Sequence, residues 1–165
     1  MDKTSAGKKW IYYNFVLAFA VYWFSNLFLW FPWSINPLLG ITLMLTVAPI
    51  VWGIAVFQSL IRFRGNTQLN GAIIIALILG VVAVVSDYIF FGVIRGAIRD
   101  LYKPTTFYGY AFLFTLPFIE ILLFPKFISR KKKTITNKDF TLAAILGIAC
   151  LLALTAIIRL DIKIN

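Results

Sequence analysis

Five apolar stretches, each long enough as a helix to cross the hydrocarbon core of a bilayer, occupy most of this chain and leave it few folds to adopt. They cover residues 10–30, 36–61, 70–94, 105–124 and 140–158. In lipid every backbone N–H and C=O must find its partner within the protein, so apolar stretches of this length form helices. Of the 165 residues, 61% are hydrophobic and 13% charged. A soluble chain this short has no core able to hide so much apolar surface, whereas lipid removes the need to hide it. The expected fold is an all-α integral membrane bundle of about five transmembrane helices, with residues 1–165 forming one transmembrane domain.

Short polar or basic links join the stretches. The shortest, with Pro32, Trp33 and Pro37, suits a turn between antiparallel helices, and the longest, residues 126–139, leaves no room for a soluble domain. The first stretch has a positive flank, as a signal peptide does. It is too long and too aromatic for one and ends without a small-residue cleavage pattern, so it reads as an anchor kept in the mature protein.

Lys and Arg set the expected topology. With the N-terminus inside, Lys3, Lys8, Lys9, Arg62, Arg64, Lys126, Arg130, Lys131, Lys132, Lys133 and Lys138 are cytoplasmic, facing Arg95, Arg99, Lys103, Arg159 and Lys163 outside, eleven against five. The Lys/Arg excess marks the cytoplasmic side, which predicts a multi-pass cell-membrane protein with its N-terminus in and its C-terminus out. Trp10, Tyr12 and Tyr13 then mark the inner headgroup level, and Trp30, Trp33, Tyr102, Tyr108 and Tyr110 the outer one. Cations lying between spans do not build the solvated basic face that a nucleic acid needs, so no nucleic-acid partner is expected. The partners expected are the lipid bilayer and a homo-oligomer or other membrane protein. Arg130, Lys131, Lys132 and Lys133 should attract anionic lipid headgroups, at about 1 kcal/mol per residue near the surface.

The chain has no histidine and a single cysteine, Cys150, in the middle of the last stretch. An intrachain disulfide, a thiolate metal cluster, imidazole-bound metal or haem, and any nucleophile–His pair are thereby excluded. No cofactor and no metal site is expected, and no Gly-rich phosphate loop is present.

Asp87 and Glu120 carry what chemistry remains. An ionised carboxylate near the bilayer centre costs about 2.5–3.5 kcal/mol, so such residues face a bundle interior or a wet cavity. Stepping back by helical turns from Asp87 gives Ala83, Gly80, Ala76 and Ala72, a small-residue stripe that lets another helix, in the bundle or in an oligomer, approach closely. Asp87 lies about 25 Å from the inner end of its span, at the level of Ser25 and Asn26 on the first. Ser25, Asn26, Ser86 and Asp87 thus form an expected outer polar layer, read either as an ion, proton or substrate site or as a clamp in which Asp87 bonds Asn26 or pairs with Arg95.

Glu120 follows Pro117, whose missing N–H frees the carbonyl of Leu113 and kinks the fourth helix. Its expected level is that of Asn14, near the basic inner loop, where it would reach Lys126 or Arg130. Pro49 predicts a second kink, and Thr105 or Thr106 is expected to cap the fourth helix.

These features favour a small transporter, channel or transporter subunit with an intramembrane carboxylate site. A non-catalytic accessory, regulatory or immunity-type module is the alternative. An intramembrane lipid-modifying enzyme using one carboxylate is a third reading. The expected separation of roughly 15 Å between Asp87 and Glu120 along the membrane normal makes them two stations and not one shared-proton pair.

Overall fold

The computed structural model describes the backbone of residues 3–130 and 133–160, and side chains within those ranges from residue 7 onward. Lys131 and Lys132 of the basic cluster, Lys163, and the side chain of Lys3 lie outside the described residues. All regular structure among the described residues is helical.

Helix α1 (Lys3–Ser25) passes into a π-helical segment, Asn26–Trp30, and then into the short α2 (Phe31–Ile35). Helix α3 is Pro37–Leu60, and α4 (Gln68–Asp87) continues as a second π-helical segment, Tyr88–Ile94. Helix α5 (Pro104–Leu123), the short α6 (Pro125–Arg130) and α7 (Asn137–Arg159) complete the chain. Five helical runs, Gly7–Ile35, Pro37–Leu60, Gln68–Ile94, Pro104–Leu123 and Asn137–Arg159, are long and apolar enough to cross a membrane. The chain is a multi-pass membrane protein.

Local chemistry sets the boundaries. Asn36 has extended backbone, and its Oδ1 accepts from the N–H groups of Leu38 and Leu39 while Pro37 opens α3. The 31–36 link is therefore helical up to Ile35, and the break falls on Asn36 alone. Thr67 caps α4, and Thr136 and Asp139 form a reciprocal capping box at α7. Gly96, just past the π-helical extension of α4, has φ +63°, a left-handed conformation suited to glycine, and Ala97 N–H donates back to the carbonyl of Phe91. The expected Thr105 or Thr106 cap is corrected: Pro104, with no N–H to satisfy, takes the first helical position and Lys103 precedes it as cap. Thr106 Oγ instead donates to the carbonyl of Asp100 at 3.4 Å.

Helix α4 lies centrally, packed on α1 and α5, with α3 lying against α1, α4 and α5, and α7 packing chiefly on α1. Small residues permit these approaches. Ala72, Ala76 and Ala83 of α4 are fully buried, and a methyl at Gly147 of α7 would come within 2.9 Å of the Cα of Ala20 on α1. Gly80, expected in the same stripe, is half-buried and faces open space. Leu38, Leu45, Leu77, Leu122, Leu142 and Leu152 lie exposed around the outside, where lipid is their solvent.

The links gather at two ends. At the basic end Lys9 Nζ donates to Asn137 Oδ1 at 3.4 Å, Arg62 pairs with Asp139 at 3.3 Å, and Lys133 N–H donates to the carbonyl of Ile61. At the opposite end Arg95 pairs with Asp100 at 3.1 Å, and Arg159 Nη2 donates to the carbonyl of Val93 at 3.4 Å. The hydrogen bond from Lys103, 2.8 Å away, and the charge of Arg95 hold the Asp100 carboxyl below the usual carboxylate range.

Candidate functional site

Two tyrosines from two other helices close around Asp87. Tyr22 of α1 donates its hydroxyl to Oδ1, and Tyr110 of α5 donates to Oδ2 at 2.7 Å. Asp87 is 9% exposed and forms no ion pair among the described residues. Both oxygens of one carboxyl on α4 thus join the three helices at a single point. Counted from Gln68, that point is about 28 Å along α4.

The expected Arg95 partner is turned away. Its guanidinium pairs with Asp100 and lies over the ring of Trp30, 5.1 Å from the centroid, with Phe90 and Phe91 beside it. The cause is the π-helical segment that begins at Tyr88: its i→i+5 bonds widen the turn and rotate everything beyond it relative to Asp87. Helix α1 makes the same change at the same place, entering π geometry directly after Ser25. Two wide turns therefore start where the carboxyl is held, a placement common at functional sites.

Asn26, Ser25 and Ser86 share the level of Asp87 without serving it as expected. Asn26 Nδ2 donates to the carbonyl of Tyr22 at 3.1 Å, so it braces the backbone of the residue that holds Asp87. Ser86 is buried beside Asp87 on α4. Ser25 Oγ and Trp23 Nε1, both within one turn of Tyr22, are buried and have no hydrogen-bond partner among the described residues.

Glu120 is 5% exposed. It completes the buried stripe of α5 formed by Leu113, Leu116 and Pro117. Its Oε1 lies 3.4 Å from where a methyl on Gly53 of α3 would sit, and its Oε2 is buried with no partner. The expected reach to Lys126 or Arg130 is corrected, because the side chain points into the bundle while both cations stand exposed on α6. Ten residues separate Tyr110 from Glu120, which is roughly 15 Å along α5. Asp87 and Glu120 therefore do not share one proton.

Asn14, expected near Glu120, is engaged elsewhere. Its Oδ1 accepts from the Ser59 hydroxyl, its Nδ2 donates to the carbonyl of Trp10 at 2.8 Å, and Trp10 Nε1 donates to the carbonyl of Ser59 at 3.0 Å. That closed set of bonds ties α1 to α3 beside a cavity of about 10 Å³, room for no more than a single water. Among the described residues no group of three or more Cys, Asp or Glu side chains converges in a way that would hold a metal ion.

No protein-family model, curated protein or solved structure matches the chain. Its chemistry must be read from its own residues.

Tyr22 and Tyr110 are the site residues that sequence reasoning missed. Tyr22 lies one turn before Asn26 and has a longer side chain, so the depth count that selected Ser25 and Asn26 reaches it too. Tyr110 reads as a headgroup-level aromatic from its residue type, but it stands six residues, about 9 Å, beyond the Pro104 start of α5, deep enough to meet Asp87.

Proposed function

We propose that this protein is a small membrane transporter, channel or transporter subunit in which Asp87 takes up a proton or a small cation within the bilayer. The observation that carries the reading is the charge balance at Asp87: a buried carboxyl with two phenol donors and, among the described residues, no cation paired with it. Leaving it ionised costs at most about 2.5–3.5 kcal/mol, the figure for the bilayer centre, from which Asp87 is displaced toward the outer side. A phenol donor binds a charged acceptor more strongly than a neutral one by about 1 kcal/mol or somewhat more. Two such donors offset most of that cost and bring the charged and neutral states close in free energy, as a coupling group needs. Asp87→Asn keeps the size and an acceptor oxygen but removes the titration. Purified Asp87→Asn protein should remain folded, lose the proton release or cation binding of the parent, and in proteoliposomes show flux lower by about tenfold or more. If it releases protons and binds cations like the parent, the reading fails.

The second reading is a non-catalytic membrane module, supported by the occupation of both Asp87 oxygens inside the protein, which is what a helix clamp needs. In that case Asp87→Asn lowers assembly or folded yield, and no proton or cation signal exists to lose.

The proposed orientation puts the end carrying Arg62, Arg64 and Arg130 in the cytoplasm of a cell membrane, following the Lys/Arg bias. Single cysteines at Arg64 and Arg99 should then be labelled by an impermeant thiol reagent from opposite sides. Labelling of both from one side would overturn the topology.

A further inference from the structure

The basic end holds a cleft of about 220 Å³ between the 61–67 loop and α6. Leu60, Phe63 and Ile128 form its apolar wall, and Asn66, Gln68 and Ser129 its polar lip. Both sides are built rather than incidental. Phe63 turns back toward the bundle, packs its ring 4.7 Å from that of Trp10, and is held between Gly65 and Gly71, where added methyl groups would strike its ring. On the other side Gln68 Nε2 donates to the carbonyl of Pro125 at 3.2 Å and to Ser129 Oγ at 2.5 Å, fixing α6 against the first turn of α4.

Three cations neighbour the lining residues along the chain or through the backbone. Arg64 lies between Phe63 and Gly65 in the loop, Arg130 follows Ser129, and the backbone of Lys133 is bonded to the carbonyl of Ile61, next to Leu60. All three are exposed, and none makes an ion pair among the described residues. No acidic residue lines the cleft, and Asp139, the acid described at this end, is taken by Arg62.

We propose that this cleft binds the phosphate-bearing headgroup of an anionic phospholipid. Its level in the protein fits such an occupant, since the same short segments close the basic ends of the transmembrane helices, where headgroups lie. The amide of Asn66 and the Ser129 hydroxyl, which Gln68 holds in place, face the headgroup, Arg64, Arg130 and Lys133 supply the charge, and the wall of Leu60, Phe63 and Ile128 takes the first part of the lipid's apolar portion. The assignment does not depend on the role of Asp87.

A basic cluster attracts anionic lipid without any cleft, so the test fills the cleft and leaves every charge in place. The parent, Asn66→Trp and Ser129→Trp, each shown folded by size-exclusion chromatography and circular dichroism, are compared in nanodiscs of phosphatidylcholine with and without phosphatidylglycerol. Bound lipid is counted by native mass spectrometry after release. The parent should retain phosphatidylglycerol over phosphatidylcholine by about tenfold, and at least one filling variant should lose most of that preference. Equal preference in both folded variants overturns the proposal, because charge alone then explains it. Competition by millimolar inorganic phosphate that displaces the retained lipid completely would assign the cleft to free phosphate and would likewise overturn it.

Discussion

Replacing Tyr22 and Tyr110 together by phenylalanine is expected to destabilise the protein more than either change alone, because each removes one of two donors to the same buried carboxyl. A hydrogen bond to a charged group contributes about 1.5–3 kcal/mol, and each single Tyr→Phe change should cost about that much. The double variant leaves Asp87 with neither donor, and the costs should not add simply because the two bonds share one acceptor. Changing Asp87→Leu in that background should restore much of the loss, since an apolar substitute removes the stranded polar group altogether. Unfolding in detergent with increasing dodecyl sulfate measures all five proteins, the parent included, on one scale. The triple variant also separates the two functional readings. If the parent carries flux that the triple variant, folded like the parent, has lost, Asp87 is the coupling group; if the folded triple variant and the parent carry the same flux or none at all, Asp87 is only a clamp.

Gly40→Ala is expected to be the most damaging methyl addition in the chain. The new Cβ would sit 2.5 Å from the Cα of Trp33 and nearer still to its Cβ, so the corner between α2 and α3 must open rather than a side chain swing aside. Overpacking of this kind costs about 1–3 kcal/mol and more where backbone has to move. The control is Gly80→Ala, whose methyl meets nothing within 4 Å and should be neutral or stabilising by up to about 1 kcal/mol through helix propensity. Thermal unfolding in a single detergent checks both. Equal effects at the two positions would mean that the α2–α3 corner is looser than its geometry implies.

That pair shows where reading from the chain stops. Ala72, Ala76, Gly80 and Ala83 form a stripe by spacing alone, and three of the four are buried as such a stripe should be. Gly80 faces open space instead, while Gly40, which belongs to no stripe, is the glycine under Trp33. Spacing reports which side chains share a helix face, and it does not report how near a neighbouring backbone comes. Glu120 teaches the same lesson. Six positions separate it from Lys126, but the break at Phe124 and Pro125 between α5 and α6 leaves the acid inside the bundle and the base outside.

What the amino-acid sequence determined by itself is the solvent and the architecture: helices that cross lipid, their number, and the gathering of most Lys and Arg at one end. These follow from run length, hydropathy and charge counts, which act within a segment and need no partner to be specified. What only the tertiary structure decided is the company of each polar atom. Tyr22 reaches Asp87 across 65 positions and Tyr110 across 23, while Arg95, eight positions away, is lost to Asp100. The reason is rotational: a helix's partners depend on its angle about its own axis, and the π-helical segments after Ser25 and Asp87 reset that angle where the site is built.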